Sequence, residues 1–490
     1  MRSTLLALGI SETEFIRQCD VTFKQGAKFA RWVDGGADDF YYHPLVLPQG
    51  FGKTDLAAYW QLAKQQSQAE PSHQTSNQHI SPPWQIGSFA NDVCYQQAVC
   101  EHGKAPKTIR HAEFAALANY AYHLDSGKFG VYLQQHVTQK LGVTHMLDDV
   151  IGVLPKAPDA SVCGFGDATE QATQQDIAAV QTKQHGLVHG DLFVDCTGFA
   201  SLLLGQHYQV PFISCSDVLF IDRALAVQVP YDSPDAPIAT HTISTAQSAG
   251  WIWDIGLQHR RGIGYVYSSK YSSDDEARAV LRQYVGPQLD ELTVRSIPIR
   301  SGHRGHFWQQ NCVAVGLSAG FLEPLEASAL VLVELSAQMI AEQLPQDRAV
   351  MDIIAKRFNE TFAYRWQRII DFLKLHYILT KRPEPFWRDN CDEATIPQSL
   401  KDLMLLWQYR TPSDLDFTSN NEVFPAASYQ YVLYGMGFCS DKMPVATSAQ
   451  WDMALSALEQ NRKLTAQALA ALPSHRDLLN KINEFGLSTL

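Results

Sequence analysis

Long apolar runs are missing from this chain of 490 residues. The opening MRSTLLALGISETEF carries an apolar run of only six residues before Glu12 and Glu14, and no later window approaches the roughly 18 apolar residues of a membrane-crossing helix. Neither secretion nor membrane spanning is indicated. Cysteines spaced as CxxC are absent as well. The nine present (Cys19, Cys94, Cys100, Cys163, Cys196, Cys215, Cys312, Cys391, Cys439) are odd in number and scattered, which argues against a disulfide framework or a zinc site and reads as reduced thiols in a cytoplasm. Basic runs are lacking too. Lys and Arg number 39 against 51 Asp and Glu, a net charge of −12, and no stripe could track phosphates, so nucleic acid is not an expected partner. No repeat of fixed period occurs. What is there is ordinary for a globular protein: at 46% hydrophobic and 11% aromatic, the chain can bury a large core and should divide into two or more modules.

Along the chain, Ser11 and Glu14 have the spacing of a helix N-cap, and Val21 and Phe23 alternate with polar neighbours as in a strand. The polar stretch KQQSQAEPSHQTSNQHISPP, Lys64 to Pro83, reads as a long surface loop. Apolar residues recurring at three and four predict a helix from Ala112 to Gly142, followed by a strand in VTHMLDDVIGVL. LVHGDLFVDCTGFAS, GWIWDIGLQHRRGIGYVYSS and CVAVGLSAGF read as β-type segments, the second as a hairpin. From about Glu326 onward the pattern is helical. The expected architecture is mixed α/β in the first two thirds with a helical layer at the C-terminus.

Five motifs stand in one order: TFK (Thr22–Lys24), FYYHPL (Phe40–Leu45), DCTGF (Asp195–Phe199), GWIWDIGL (Gly250–Leu257) and GLSAGFLEPLEASAL (Gly316–Leu330). A tryptophan pair on a strand is by itself more often core than function. In this company, Met1 to about Leu379 resembles the flavin-dependent tryptophan halogenases and their brominating, indole-acting relatives. The resemblance implies a flavoprotein fold like that of glutathione reductase and hydroxybenzoate hydroxylase. Residues 1–345 would form a discontinuous FAD- and halide-binding module with an inserted substrate-side sheet, and 346–490 a helical substrate-binding region. It implies that Lys24 and Glu326 are the catalytic pair. In the family, reduced FAD, oxygen and halide yield hypohalous acid, which travels along a tunnel to the lysine. A lysine ammonium can hydrogen-bond hypohalous acid and make its halogen more electrophilic, or as a free amine form a haloamine, and a carboxylate can take the proton of the cationic arene. Without the resemblance, Lys24 reads as a solvated lysine and Glu326 as a first-turn acid favoured by the helix dipole.

The resemblance also matches the halide site to the amides of Ser328 and Ala329, where Glu-Ala-Ser-Ala replaces the Glu-Ser-Thr-Gly of most tryptophan-specific members. Leu317 and Leu330 match flavin contacts, and Val150 an adenine-side contact. Trp251 and Trp253 match a WxWxIP motif that keeps substrates from the flavin, with Gly256 in place of its proline. His43 matches a substrate-side histidine, and Leu45 replaces an aromatic that stacks on indole, so an indole-like or larger aromatic is expected rather than free tryptophan. Tyr429, Tyr431, Tyr434 and Phe438 are candidate aromatic walls. No metal is implied. No NAD(P)H motif is visible, so a separate flavin reductase is an expected partner, with a homodimer left open. Two other readings remain: an FAD monooxygenase of the same superfamily, and a cofactor-free decayed flavoprotein acting as a binding protein. No GxGxxG turn precedes Lys24, and MRSTLLALGI matches a helix that follows that turn in the family. The chain is therefore expected to be a truncation lacking about one βαβ unit, holding FAD weakly or not at all.

Overall fold

The computed structural model describes residues 1–68, 86–157, 175–419, 422–440 and 447–489. Contacts divide the chain into two compact units, Met1–Tyr132 with Arg223–Pro298 and Asp371–Leu490, and Leu133–Asp222 with Ile299–Ile370. The division expected at residue 345 falls inside the second unit. Phe358, Phe362 and Trp366 of the helix Arg348–Ile378 account for this, since their rings pack on Phe307 and Trp308.

The first unit is built on a seven-stranded sheet in the order Arg295–Pro298, Arg223–Pro230, Arg260–Tyr267, Gly250–Gly256, Thr242–Gln247, Gly26–Ala30, Phe40–Pro44. Only Thr242–Gln247 and Gly26–Ala30 run parallel. The expected hairpin is the pair Gly250–Gly256 and Arg260–Tyr267. Alternation along it serves both faces. Ile252, Ile263 and Tyr265 bury themselves against Ala277 and Leu281 of the helix Asp274–Val285, whose N-terminus carries a Ser273–Glu276 capping box. On the opposite face Trp251 meets Trp32, which in turn packs on Tyr377 and Trp387. Among the described residues no helix is long and apolar enough to cross a membrane.

Local expectations divide. Ser11 does cap the helix Glu12–Gln18, accepting from Glu14 N at 3.3 Å. The helix expected from Ala112 to Gly142 is instead the strand Ala121–His123 and the helix Ser126–Lys140. Distant acceptors remove its first part: Phe114 takes a left-handed φ of 60° and donates its N–H to Glu12 Oε2 at 2.7 Å. The strand expected in VTHMLDDVIGVL begins only at Val150. Lys64–Gln68, expected in a loop, closes the helix Leu56–Gln68, and residues 69–83 lie outside those described.

In the second unit the strand Phe193–Asp195 runs parallel to Cys312–Ala314, which also pairs with Trp308–Gln309. Two further three-stranded sheets join Val150–Pro155, Ile177–Thr182 and Gly186–His189, and Phe212–Ser214, Gly302–Arg304 and Gly320–Phe321. Phe193–Asp195 forms one edge of its sheet, Val194 is 46% exposed, and Leu147 is 83% exposed. The helix Ser126–Lys140, which crosses the unit boundary, buries none of its residues.

Beneath the N-terminal helices of the first unit lies a buried ion pair, Lys107 Nζ to Glu12 Oε2 at 2.6 Å with both side chains wholly shielded. The hydroxyls of Tyr120 and Tyr122 donate to Glu12 Oε1 at 2.6 and 2.7 Å. Lys107→Met removes the cation and leaves the carboxylate buried. A loss of about 3–5 kcal/mol is expected, read from the midpoint of urea denaturation at unchanged slope.

Candidate functional site

Six of the residues singled out from the sequence lie in the second unit. The strand Cys312–Ala314 leads into a short turn, Gly316–Ser318, that Ser318 fastens by donating its hydroxyl to the carbonyls of Asp195 and Val315. Gly316 has φ of 72°, a left-handed conformation that suits glycine. Asp195 is buried and holds the adjoining loop. Its Oδ1 accepts from Thr197 N and Oγ1, and its Oδ2 from the amides of Leu203 and Leu204. The chain then turns through FLEPLEA into the helix Ser328–Glu342.

Glu326 is not on the first turn of that helix. Ala327 takes a left-handed conformation, φ 51° and ψ 33°, so the helix begins only at Ser328 and has no acidic residue in its first turn. Its N-cap residue, Ala327, has no side-chain acceptor to offer the leading amides, and a helix N-terminus is attractive to an anion. A cavity of about 240 Å³ is lined by Gly316, Leu317, Ala327, Ser328, Ala329 and Leu330, together with the aromatic rings of Phe358 and Trp366. Glu323, buried and not anticipated from the sequence, lines it too. Val150 starts a strand paired to Thr182 and is not part of this lining.

The other five, Lys24, His43, Leu45, Trp251 and Trp253, belong to the first unit. Lys24 ends the strand Thr22–Lys24, opposite Ala121, and is half-buried. Leu45 is its neighbour through the backbone, since Leu45 N donates to Gln25 O at 3.3 Å. Gln96 fixes this corner: its Oε1 accepts from Leu45 N and Val46 N at 2.8 and 2.7 Å, and its Nε2 donates to Asn119 O. His43 is buried, 2.9 Å from Ser428 Oγ, with its ring among Phe372, Phe424 and Tyr431. Tyr429, Tyr431 and Tyr434 are buried core residues of the helix Ala426–Gly435. Trp251 is fully buried and donates to Tyr377 Oη at 3.1 Å. Trp253 is half-buried and its ring lies over Gly264, where an added Cβ would come within 2.0 Å of it. Gly256 has a packing reason: a Cβ there would meet Ile238 Cγ2 and Tyr231 Oη at 2.9 Å each.

Three buried histidines, His123, His241 and His475, interact with one another, and His123 also faces Lys24. Burial above all, then the charge of Lys24, drives His123 well below the ordinary imidazole range. Burial likewise pushes His475 down to about 4, and His241 to about 4 with Lys28 adding to the effect and Glu101 opposing it. His123 and His475 had no local signal in the sequence, because their partners lie far along the chain.

The tryptophan halogenase family profile matches residues 1–450. The chain belongs to the tryptophan halogenase family. It is 30% identical over 505 residues to the 7-chloro-L-tryptophan 6-halogenase KtzR of Kutzneria sp., an alignment covering 97% of this chain and 89% of that one. The crystal structure of a tryptophan halogenase from Shewanella frigidimarina matches with a TM-score of 0.90 and 44% identity, over 100% of this chain and 88% of its own. BrvH, a flavin-dependent halogenase from Brevundimonas sp., matches at 0.80 and 29%, over 98% and 90%. The fold is thus the α/β flavoprotein fold of these enzymes, and the enzyme class is that of the FADH2-dependent halogenases. The turn at Gly316 and the apolar cavity fit the ring end of a flavin. No GxGxxG run occurs within these 490 residues.

The buried histidines set an acid limit on stability. His475 faces Arg476 and His241, His123 faces Lys24, His475 and His241, and His241 faces Lys28 and Glu101. All three are neutral when folded, with values below the ordinary 6.5, so between pH 4 and 6.5 the unfolded chain binds more protons. Stability therefore rises with pH across that window, by up to ~1.4 kcal/mol per pH unit for each histidine. Denaturant midpoints should fall steadily from pH 7 to pH 4.5, and a flat profile would contradict the assignment.

Proposed function

We propose that this protein halogenates an electron-rich aromatic such as an indole, using halide, oxygen and reduced FAD supplied by a separate reductase. The observation that carries the reading is the N-terminal end of the helix Ser328–Glu342, begun by an alanine with no side-chain acceptor and lining the apolar cavity, in a chain of this family. In this reading the N–H groups of Ser328 and Ala329 bind the halide, with the positive end of the helix dipole behind them. Leu317 and Leu330 lie against the flavin ring and Val150 on the adenine side. Reduced flavin, when bound, supplies the electrons with which oxygen takes halide to hypohalous acid.

The work of this chain is to position and to move protons. Lys24 donates a hydrogen bond to the oxygen of hypohalous acid, drawing electron density from the halogen. The arene attacks the halogen as the halogen–oxygen bond breaks, the departing oxygen takes a proton from the Lys24 ammonium and leaves as water, and Glu326 takes the proton from the carbon that now bears halogen. His43 and Leu45 shape the substrate side, and Trp251 and Trp253 keep the arene away from the flavin. The eight described cysteines are all free, in keeping with work in a reducing cytoplasm.

Lys24→Ala is expected to abolish halogenation while flavin reoxidation continues. Glu326→Gln should keep the helix, which starts beyond it, and lower turnover roughly 10²-fold. Product formation at the wild-type rate from Lys24→Ala, or an oxygenated rather than halogenated product from the native chain, would defeat the reading. A second expectation concerns selectivity. Leu45 offers no ring to stack on indole, a loss on the order of 0.5–1.5 kcal/mol, so bromide should be used ahead of chloride and indole ahead of tryptophan. Competition assays with both halides and both arenes decide it, and chlorinated tryptophan as the main product would refute it.

A further inference from the structure

The strand that carries Lys24 pairs on one side with Ala121–His123. On its other side stands a side chain from the far end of the chain. Phe23 N donates to His475 Nε2 at 3.0 Å, across 452 residues of sequence. His475 is 1% exposed and opens the helix His475–Phe485, beyond residue 450 where the family profile stops. Its Nδ1 is 3.3 Å from Ile238 O. For Nε2 to accept, the imidazole must be neutral with its proton on Nδ1, and Ile238 O is the acceptor for that proton. The same helix makes a second hold. Asn483 Nδ2 donates to Gln258 Oε1 at 2.7 Å, and Gln258 Nε2 donates to Ile16 O and Val21 O at 2.9 and 3.0 Å. Thr22 is tied separately, its hydroxyl donating to Gly256 O at 2.6 Å.

A two-stranded ribbon of three residues a side is not stable by its own hydrogen bonds, so its outer contacts decide where its end lies. We propose that His475 is a positioning residue for Lys24: by accepting the Phe23 N–H it fixes the strand end from which the lysine side chain departs, and so sets where its ammonium stands. This rests on the reading of Lys24 as the halogenating lysine. His475 touches neither halide nor arene in this scheme and acts through Phe23. The C-terminal helix thereby becomes part of the machinery of a residue near the N-terminus.

The test compares the native chain with His475→Leu, which keeps bulk and loses the acceptor, and His475→Gln, whose Oε1 can accept the same N–H. Lys24 acetylation by an amine-reactive ester is followed across pH by peptide mass spectrometry, with the exposed Lys356 as internal reference. Halogenation of indole is measured in parallel. His475→Leu should change Lys24 acetylation relative to Lys356 by about 5-fold, the equivalent of one hydrogen bond, and lower kcat with little change in KM. His475→Gln should restore most of both. Unchanged Lys24 acetylation in folded His475→Leu overturns the proposal. Changed acetylation with unchanged halogenation overturns instead the role of Lys24 and leaves the clasp standing. If His475→Leu does not fold, amide exchange at Phe23 in the native chain decides: strand-like protection supports the clasp, and exchange at the free-peptide rate overturns it.

Discussion

A buried backbone N–H has to find an acceptor, and the strands around Lys24 are too short to supply one for every donor. The chain meets this constraint with side chains standing in for absent strands. His475 accepts from Phe23, and Gln96 accepts from both Leu45 and Val46 while donating to Asn119. The second unit repeats the device: Asn311 exchanges two hydrogen bonds with the backbone of Ile177, and Asn359 accepts from the amides of Phe307 and Trp308. These buried amides and imidazoles behave as fixed pegs. They let the loops around Lys24 and around the cavity depart from regular structure without leaving donors unpaired.

The loop before the helix Ser328–Glu342 follows the opposite rule. There the N-cap residue, Ala327, turns left-handed and offers the donors no side-chain acceptor. An N-cap serine or aspartate would stabilise such a helix by about 0.5–2 kcal/mol. Its absence, together with Glu326 held just outside the helix, separates two tasks at neighbouring residues.

Much of this was legible in the sequence, where a pattern and its cause lie close together. The hairpin of WIWDIGL and its partner strand follow from alternation and a polar turn, and the ordered motifs led to the family. The helix read across Ala112–Gly142 failed where a distant carboxylate, Glu12, captured the Phe114 amide. The place of Glu326 was misjudged by two residues because a left-handed alanine is not a residue that sequence rules expect there. Gly256 was seen only as the residue in place of the motif's proline, whereas an added Cβ there would press on Ile238 and Tyr231. His475 was invisible because no local pattern announces a partner on the other side of the fold.

The second unit ends one of its sheets on Phe193–Asp195 with Val194 nearly half exposed, and the helix Ser126–Lys140, which runs across the unit boundary, has no buried residue. Such surface is a template for self-association. What opposes it is the net charge of −12, whose repulsion reaches about 10 Å at 0.1 M salt and about 3 Å at 1 M. Dispersal of the chain should therefore depend on ionic strength, with added salt weakening the repulsion that keeps these surfaces apart.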